Sequence, residues 1–251
     1  MTGLQIFLLC LLILLEISKT PRKKQGQNEC MTRFLMWYDR DSAEQLFEKL
    51  PIFVNQCAYL DIRPNFERIS DDFGKHFDFW NRGKSECNIV FASRNSSDSS
   101  LEENVKEKID NCHVVKINPI NVGNSKLIEI IPLNLVLEAE NELDHGSIDI
   151  QTLTSIILKR NYIEALHIDE SIAYIDFWKY FRGIDFSEHF PVCQITVTLP
   201  HPKTRNDLTD FWNFVAIFLI DLRVKLVSSQ KISRDLITVQ FYNWRHRNCY
   251  I

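Results

Sequence analysis

The chain has 251 residues, 45% of them hydrophobic and 12% aromatic, enough material for one well-buried domain. Its 29 Lys and Arg stand against 33 Asp and Glu, a net charge of -4, so bulk electrostatics gives no reason to expect nucleic acid or an anionic membrane surface as a partner. Seven residues are glycine, where ordinary usage of roughly 7% would give about seventeen, so a fold that needs many close backbone approaches has few places to put them.

Ile6 to Leu15 is an unbroken apolar run, too short for the roughly 20 residues of a spanning helix and within the about 7–15 of a signal-peptide core. Residues 1–20 therefore read as a signal peptide or signal anchor that directs the chain into the secretory pathway. No Lys or Arg precedes the run, Lys19, Arg22, Lys23 and Lys24 follow it, and Pro21 stands directly after the candidate cleavage site Ser18-Lys19-Thr20. Cleavage and retention both stay open, and a retained anchor with this positive cluster behind it would favour a cytosolic body.

Past Cys10 in the leader, six cysteines remain, Cys30, Cys57, Cys87, Cys112, Cys193 and Cys249, with no C-x-x-C pair. An even number without zinc-like spacing fits an oxidised, disulfide-bearing body better than six buried thiols of a cytosolic protein. The expected location is lumenal, secreted or anchored by the N-terminal segment, which is also the expected membrane contact. Asn95-Ser96-Ser97 is the one N-glycosylation triplet, and it supports the secretory reading.

Residues 21–29 form a basic stem and residues 30–84 an N-terminal extension. Asp41 and Glu44 make a capping-box pattern ahead of Leu46, Phe47 and Leu50, which predicts a short helix ending before Pro51. Residues 55–84 are mixed and aromatic, without a readable period. From Cys87 the pattern becomes regular: Asn88 to Ala92 is a buried strand, Arg94 to Ser100 a polar loop, and Leu101 to Ile109 a helix capped by Ser100 with Glu103 reaching back. His113 to Ile117 is a second strand ended by Asn118-Pro119, and Leu127 to Val136 a third with a break at Pro132. Ile150 to Lys159 is helical with Leu153, Ile156 and Ile157 on one side, Ala165 to Ile168 is a strand closed by Asp169, and Ala173 to Phe181 is the next helix.

Val192 to Leu199 alternates, with Cys193, Ile195, Val197 and Leu199 on one face and Gln194, Thr196 and Thr198 on a more polar one. Leu208 to Leu222 is an apolar helix, and Val224 to Ser228 with Ile237 to Tyr242 form a late antiparallel pair. Strands alternating with helices and closed by such a pair predict an α/β fold, a mostly parallel doubly wound sheet with one reversed strand.

The runs "NYIEALHID" (Asn161 to Asp169), "DFWKYF" (Asp176 to Phe181) and "PVCQIT" (Pro191 to Thr196) resemble the central block of FkbM-type SAM-dependent methyltransferases, in the branch expanded in nematodes. The resemblance covers roughly Cys87 to Cys249 and implies the class I methyltransferase sheet over residues 85–251, with S-adenosylmethionine (SAM) at the carboxyl ends of the first, second and fourth strands. Ligands of open α/β sheets sit outside those ends, where glycine permits close backbone approach and an acid accepts the ribose hydroxyls. In the family the loop after the first strand reads like L-G-x-G-x-D. Here Ala92-Ser93-Arg94-Asn95-Ser96 stands in its place, with Ser93 and Asn95 at the glycine positions and no glycine between Gly83 and Gly123. Asn118 replaces the acid after the second strand, and it lacks the charge that strengthens such a hydrogen bond. The family's I-D-x-E-x-x-E becomes Ile168-Asp169 with Ser171 and Tyr174 at the glutamates and Glu170 shifted beside them. Asp169 is either a cofactor ligand or a cap of the following helix.

The resemblance therefore implies cofactor-binding positions at Ser93, Asn95, Asn118 and Asp169, with no catalytic residue assigned. The same resemblance implies descent from an O-methyltransferase for a small-molecule or glycan acceptor, with SAM as cofactor if active and none otherwise. The alternative is a non-catalytic lumenal or extracellular binding domain. A glycan on Asn95 would stand on the loop that wraps the cofactor. In the strand order above, Cys87 and Cys112 precede neighbouring parallel strands, and Cys193 begins a strand whose reversed neighbour ends near Cys249. With strands about 4.8 Å apart and bridged Cα atoms at about 4.4–6.8 Å, both pairs suit disulfides, leaving Cys30 with Cys57. Seven scattered histidines, with no H-E-x-x-H and no i, i+4 pair, predict no metal site. Asp71-Asp72 falls outside any clear strand end, which leaves a glycosyltransferase-like acidic pair without support.

Overall fold

The computed structural model describes residues 25–36, 43–58, 66–72, 76–80, 86–120, 125–136, 146–169, 172, 191–220, 225–243 and 246–249. The expected leader, the first residues of the expected stem, the helix expected at 173–181 and the positions Glu170, Ser171 and Tyr174 lie outside them.

Seven strands build the central sheet: β3 (Cys87–Ala92), β4 (Cys112–Ile117), β5 (Glu129–Ile131), β8 (Ile163–Ile168), β9 (Val192–Pro200), β10 (Lys225–Lys231) and β11 (Leu236–Tyr242). Their order is β10-β11-β9-β8-β3-β4-β5. Only β11 runs against its neighbours, antiparallel to both β9 and β10, while β9-β8, β8-β3, β3-β4 and β4-β5 are parallel. This is the class I methyltransferase-like sheet, mostly parallel and closed by a C-terminal antiparallel pair. The two strands β8 and β3 at its centre are buried nearly throughout, as expected where both faces are covered.

One face packs against α1 (Gln25–Met36), α2 (Ala43–Ala58) and α5 (Arg205–Ile220). Phe34, Phe47, Phe211 and Phe214 join Val90, Leu166, Val197 and Phe241 in one core, so the N-terminal extension shares its apolar interior with the sheet. The other face carries α3 (Ser100–Lys108) and a hairpin of β1 (Phe66–Ser70) and β2 (His76–Trp80), which bury Val105, Ile69, Phe77 and Phe79 over Ile89 and Phe91. The more polar side of β9 lies on this face, and it is buried: Gln194, Thr196 and Thr198 are all under 9% exposed. Gln194 explains why. Its carboxamide pairs with both the N–H and the carbonyl of Trp80, each at 2.9 Å, and Gln240 donates to the carbonyl of Asp78 at 2.7 Å. Glutamine side chains thus satisfy the outer edge of β2, which would otherwise bury unpaired backbone groups.

Several expectations are corrected. Helix α2 does not stop before Pro51 but runs on to Ala58 with Pro51 inside it. The missing N–H of proline is outweighed by a continuous apolar face, Leu46, Phe47, Leu50, Val54 and Cys57, buried against the sheet. The capping of α3 differs too. Asp98, not Ser100, supplies the capping oxygens, taking the Ser100 N–H at 3.1 Å and its hydroxyl at 3.0 Å. Glu103 instead accepts from the Ser125 hydroxyl at 2.7 Å. The third strand is split at Pro132: β5 joins the sheet, whereas β6 (Asn134–Val136) pairs with β7 (Ser147–Asp149) in a separate ribbon. The helix after β7 is one α-turn, α4 (Ile150–Thr152), widened into a π-turn at Leu153–Ile157. The Leu158 N–H reaches back five residues to the Leu153 carbonyl, so Leu153 and Leu158 are buried while Ile156 and Ile157 turn outward.

The three expected disulfides are present, with Cα separations of 5.6 Å for Cys30–Cys57, 4.5 Å for Cys87–Cys112 and 5.1 Å for Cys193–Cys249. Cys87 and Cys112 are direct register partners on β3 and β4. Non-reducing peptide mapping should return these three pairs, and a Cys87–Cys249 peptide would contradict the strand order.

Asp149 caps α4 through the Thr152 N–H at 2.8 Å and its hydroxyl at 2.6 Å. Burial pushes its carboxyl up, but hydrogen bonds from the Thr152 side chain and from the Thr152, Gln151 and Asp149 backbone together hold it below the ordinary value. Stability from a depressed carboxylate is present above the unfolded pKa and is lost as pH falls through the native one. Asp149→Ala should therefore lower stability by about 1 kcal/mol at neutral pH, measured by urea unfolding, and the gap to the parent should close in acid.

Candidate functional site

Ligand sites of open α/β sheets lie outside the carboxyl ends of the strands, so the ends of β3, β4 and β8 are where chemistry is to be sought. Backbone bonds carry the ladder past the strands and bring these ends level. The Ser93 N–H donates to the Ile117 carbonyl at 3.0 Å, that of Asn118 to Ile131 at 3.0 Å, and that of Asp169 to Ala92 at 3.1 Å. Ser93, Asn118 and Asp169, expected from sequence to share a site, do share one sheet edge. Asn95 stands apart, exposed on the loop between β3 and α3.

Asn118 does not face outward. It is fully buried, its carboxamide donates to the Ser96 carbonyl and accepts the Ile120 N–H at 2.9 Å. The residue that in the family's pattern receives the ribose is thus occupied by the chain's own loop. Ser93 is 7% exposed, and its hydroxyl has no hydrogen-bond partner.

Below the loop lies a group that the sequence reading missed. Lys116, fully buried in β4, points its ammonium under the N-terminus of α3. There it meets Glu102 Oε1 at 3.1 Å, the Ser99 hydroxyl at 3.3 Å and the Asp98 carbonyl. Three donors find three acceptors, which is the full capacity of an ammonium. Glu102 is 8% exposed; burial pushes its carboxyl up and the Lys116 charge opposes that shift. The available signal was Lys116 itself, a charge at the same strand parity as Cys112 and Val114 in an otherwise apolar run.

Lys116 and Asn118 together fix residues 96–102 from beneath, at both the loop and the first turn of the helix. Beside the loop is a cavity of about 90 Å³ lined by Ser93, Ser96, Asp98, Glu102, His167 and Asp169, among others. Ordinary small-molecule sites enclose about 300–1,000 Å³, so this cavity suits a few waters or a fragment. The imidazole of His167 packs into the aromatic layer, tilted at 5.4 Å from the ring of Phe91 and edge-on at 6.1 Å from that of Phe77. Among the described residues no cluster of His, Cys, Asp and Glu suits a metal ion.

SAM does not fit the described residues in the manner the family pattern implies. Asn118, at the position where the family's pattern has the ribose-binding acid, is buried and bonded to Ser96 and Ile120, and Ser93 and Asn95 stand at that pattern's two glycine positions.

No family model matches the chain, and no curated protein matches its sequence. Solved structures do resemble it. Fibrillarin in its complex with Nop5p has a TM-score of 0.42 at 10% identity, covering 64% of this chain and 74% of that one. TrmK of M. capricolum, solved with S-adenosyl-homocysteine, has 0.38 at 8% identity and covers 65% of each chain. The plantazolicin methyltransferase BpumL, also with S-adenosyl-homocysteine, has 0.36 at 8% identity over 94% of this chain and all of that one. The fold assignment itself rests on the strand order described above.

Lys116→Met should destabilise the protein by about 3–5 kcal/mol, since it leaves Glu102 buried and unpaired. The double variant Lys116→Met/Glu102→Leu should recover most of that loss in chemical denaturation. In the single variant the loss should shrink in acid: a native carboxyl raised above its unfolded pKa favours the fold when protonated and weighs against it as pH rises.

Proposed function

We propose that this protein is a methyltransferase-fold protein of FkbM-type descent, exported into the secretory pathway, whose cofactor seat has been taken over by its own β3–α3 loop. Its ancestral chemistry is SAM-dependent O-methylation; its present role is binding through its surface, without catalysis. The observation that carries this reading is Asn118, whose carboxamide is spent on Ser96 and Ile120. Methyl transfer needs the sulfonium held in line with an acceptor oxygen, which is mainly positioning, and a seat filled by backbone cannot supply it. The three disulfides are compatible with an oxidising compartment.

A second reading, retained O-methylation of a small-molecule or glycan hydroxyl, draws on Asp169. That acid survives from the family pattern and lines the same cavity as the unpartnered hydroxyl of Ser93.

Calorimetric titration of the oxidised protein with SAM and S-adenosyl-homocysteine separates the two. The expected result is no saturable binding by the unchanged chain. Asn118→Asp sets a carboxylate oxygen against the Ser96 carbonyl and releases the loop, at a stability loss of about 1–3 kcal/mol. Combined with Ser93→Gly and Asn95→Gly it should gain binding. Saturable micromolar binding by the unchanged chain would overturn the first reading in favour of the second.

A further inference from the structure

The β3–α3 loop divides its side chains into two sets. Ser93 is buried, Ser96 donates from its hydroxyl to the Asp98 carbonyl at 3.2 Å, and the Asp98 carboxylate is held by Ser100. Asn95 and Ser97 are exposed, and neither side chain makes a hydrogen bond among the described residues. Those two are the residues of an N-x-S triplet on which glycan transfer depends, the amide that is modified and the hydroxyl that must be recognised. The backbone bends at Arg94 and Asn95 and stays irregular through Ser99. The triplet therefore sits on an accessible, non-helical segment, while the residues around it are tied down.

The geometry points to Asn95 as an N-glycosylation site whose glycan stands at the rim of the carboxyl-edge cavity. In the transfer the Asn95 amide nitrogen attacks the anomeric carbon of a lipid diphosphate-linked oligosaccharide. A C–N bond forms, the C–O bond to the diphosphate breaks, the lipid diphosphate leaves, and the amide gives up one proton. No oxidation or reduction is involved. Ser93 and Ser96, on either side of Asn95 in sequence, both line the cavity, so a glycan rooted between them covers its mouth. The inference stands apart from the loss of SAM binding: a glycosylated Asn95 is consistent with a closed seat, and a seat found open would still leave the modification to be observed. It also explains an asparagine at a position where the family's pattern has glycine. A residue with no side chain gives way to one that takes a carbohydrate, on a loop that the underlying lysine and asparagine already hold shut.

The full-length chain expressed in a eukaryotic secretory host, with and without peptide N-glycosidase F, tests the proposal. The expected result is one shift to lower mass on treatment, with Asn95 recovered as aspartate in the peptide spanning it. The shift should be absent in Asn95→Gln and in Ser97→Ala, and kept in Ser97→Thr, which preserves the hydroxyl. A chain whose Asn95 peptide is unmodified, whether exported or left in the cytosol, would overturn the proposal. So would an enzyme-sensitive shift that persists in Asn95→Gln.

Discussion

Everything at the carboxyl edge depends on one buried ammonium. Lys116 has no exposed surface, and a charge in that position is tolerated only because three acceptors surround it. Two of them, the Asp98 carbonyl and the Ser99 hydroxyl, belong to the last residues of the loop, and the third, Glu102, to the first turn of α3. The loop is therefore obliged to lie on the sheet, since lifting it would strand the charge. Asn118, two residues further along the same chain, repeats the demand at Ser96.

The same economy of carboxamides organises the rest of the molecule. Asn55 on α2 accepts the Ser229 N–H at 3.1 Å and donates to its carbonyl at 2.9 Å, so the outer strand β10 is closed by a helix side chain. Gln194 and Gln240 do the same for β2. In each case a side-chain amide stands in for a neighbouring strand, satisfying backbone groups that would otherwise be buried unpaired or left open to another chain. Asn118 uses this device at the functional edge. There it holds the backbone of Ser96 and Ile120.

Much of this was legible in the sequence, because hydrophobic period and length decide strands and helices locally. The central strands and the late antiparallel pair followed from such local signals; two cysteine pairings followed from the strand order they imply, and Cys30 with Cys57 was what remained. Pro51 misled because a proline's local effect is read without the buried face that overrides it. Ile156 and Ile157 misled because a π-turn shifts the period from 3.6, which no single residue announces. The pairing of β1 with β2 was unreadable since the outer edge of β2 is satisfied by Gln194 and Gln240, more than a hundred residues away. At the site, the substitutions at Ser93, Asn95 and Asn118 were visible as departures from a pattern, but the pattern could not say where the Asn118 amide points. Lys116 went unnoticed because its partners are assembled only by the parallel crossover from β3 to β4.

Hydrogen exchange of the oxidised native protein tests the central claim most directly, read on the amides of Ser100 and Ile120, whose acceptors are the side chains of Asp98 and Asn118. If the loop is locked from beneath, both exchange with the slow, whole-molecule opening of β3 and β4, and excess S-adenosyl-homocysteine changes neither. Fast local exchange at these amides, slowed when the ligand is added, would show a loop that opens to admit it and would contradict the account.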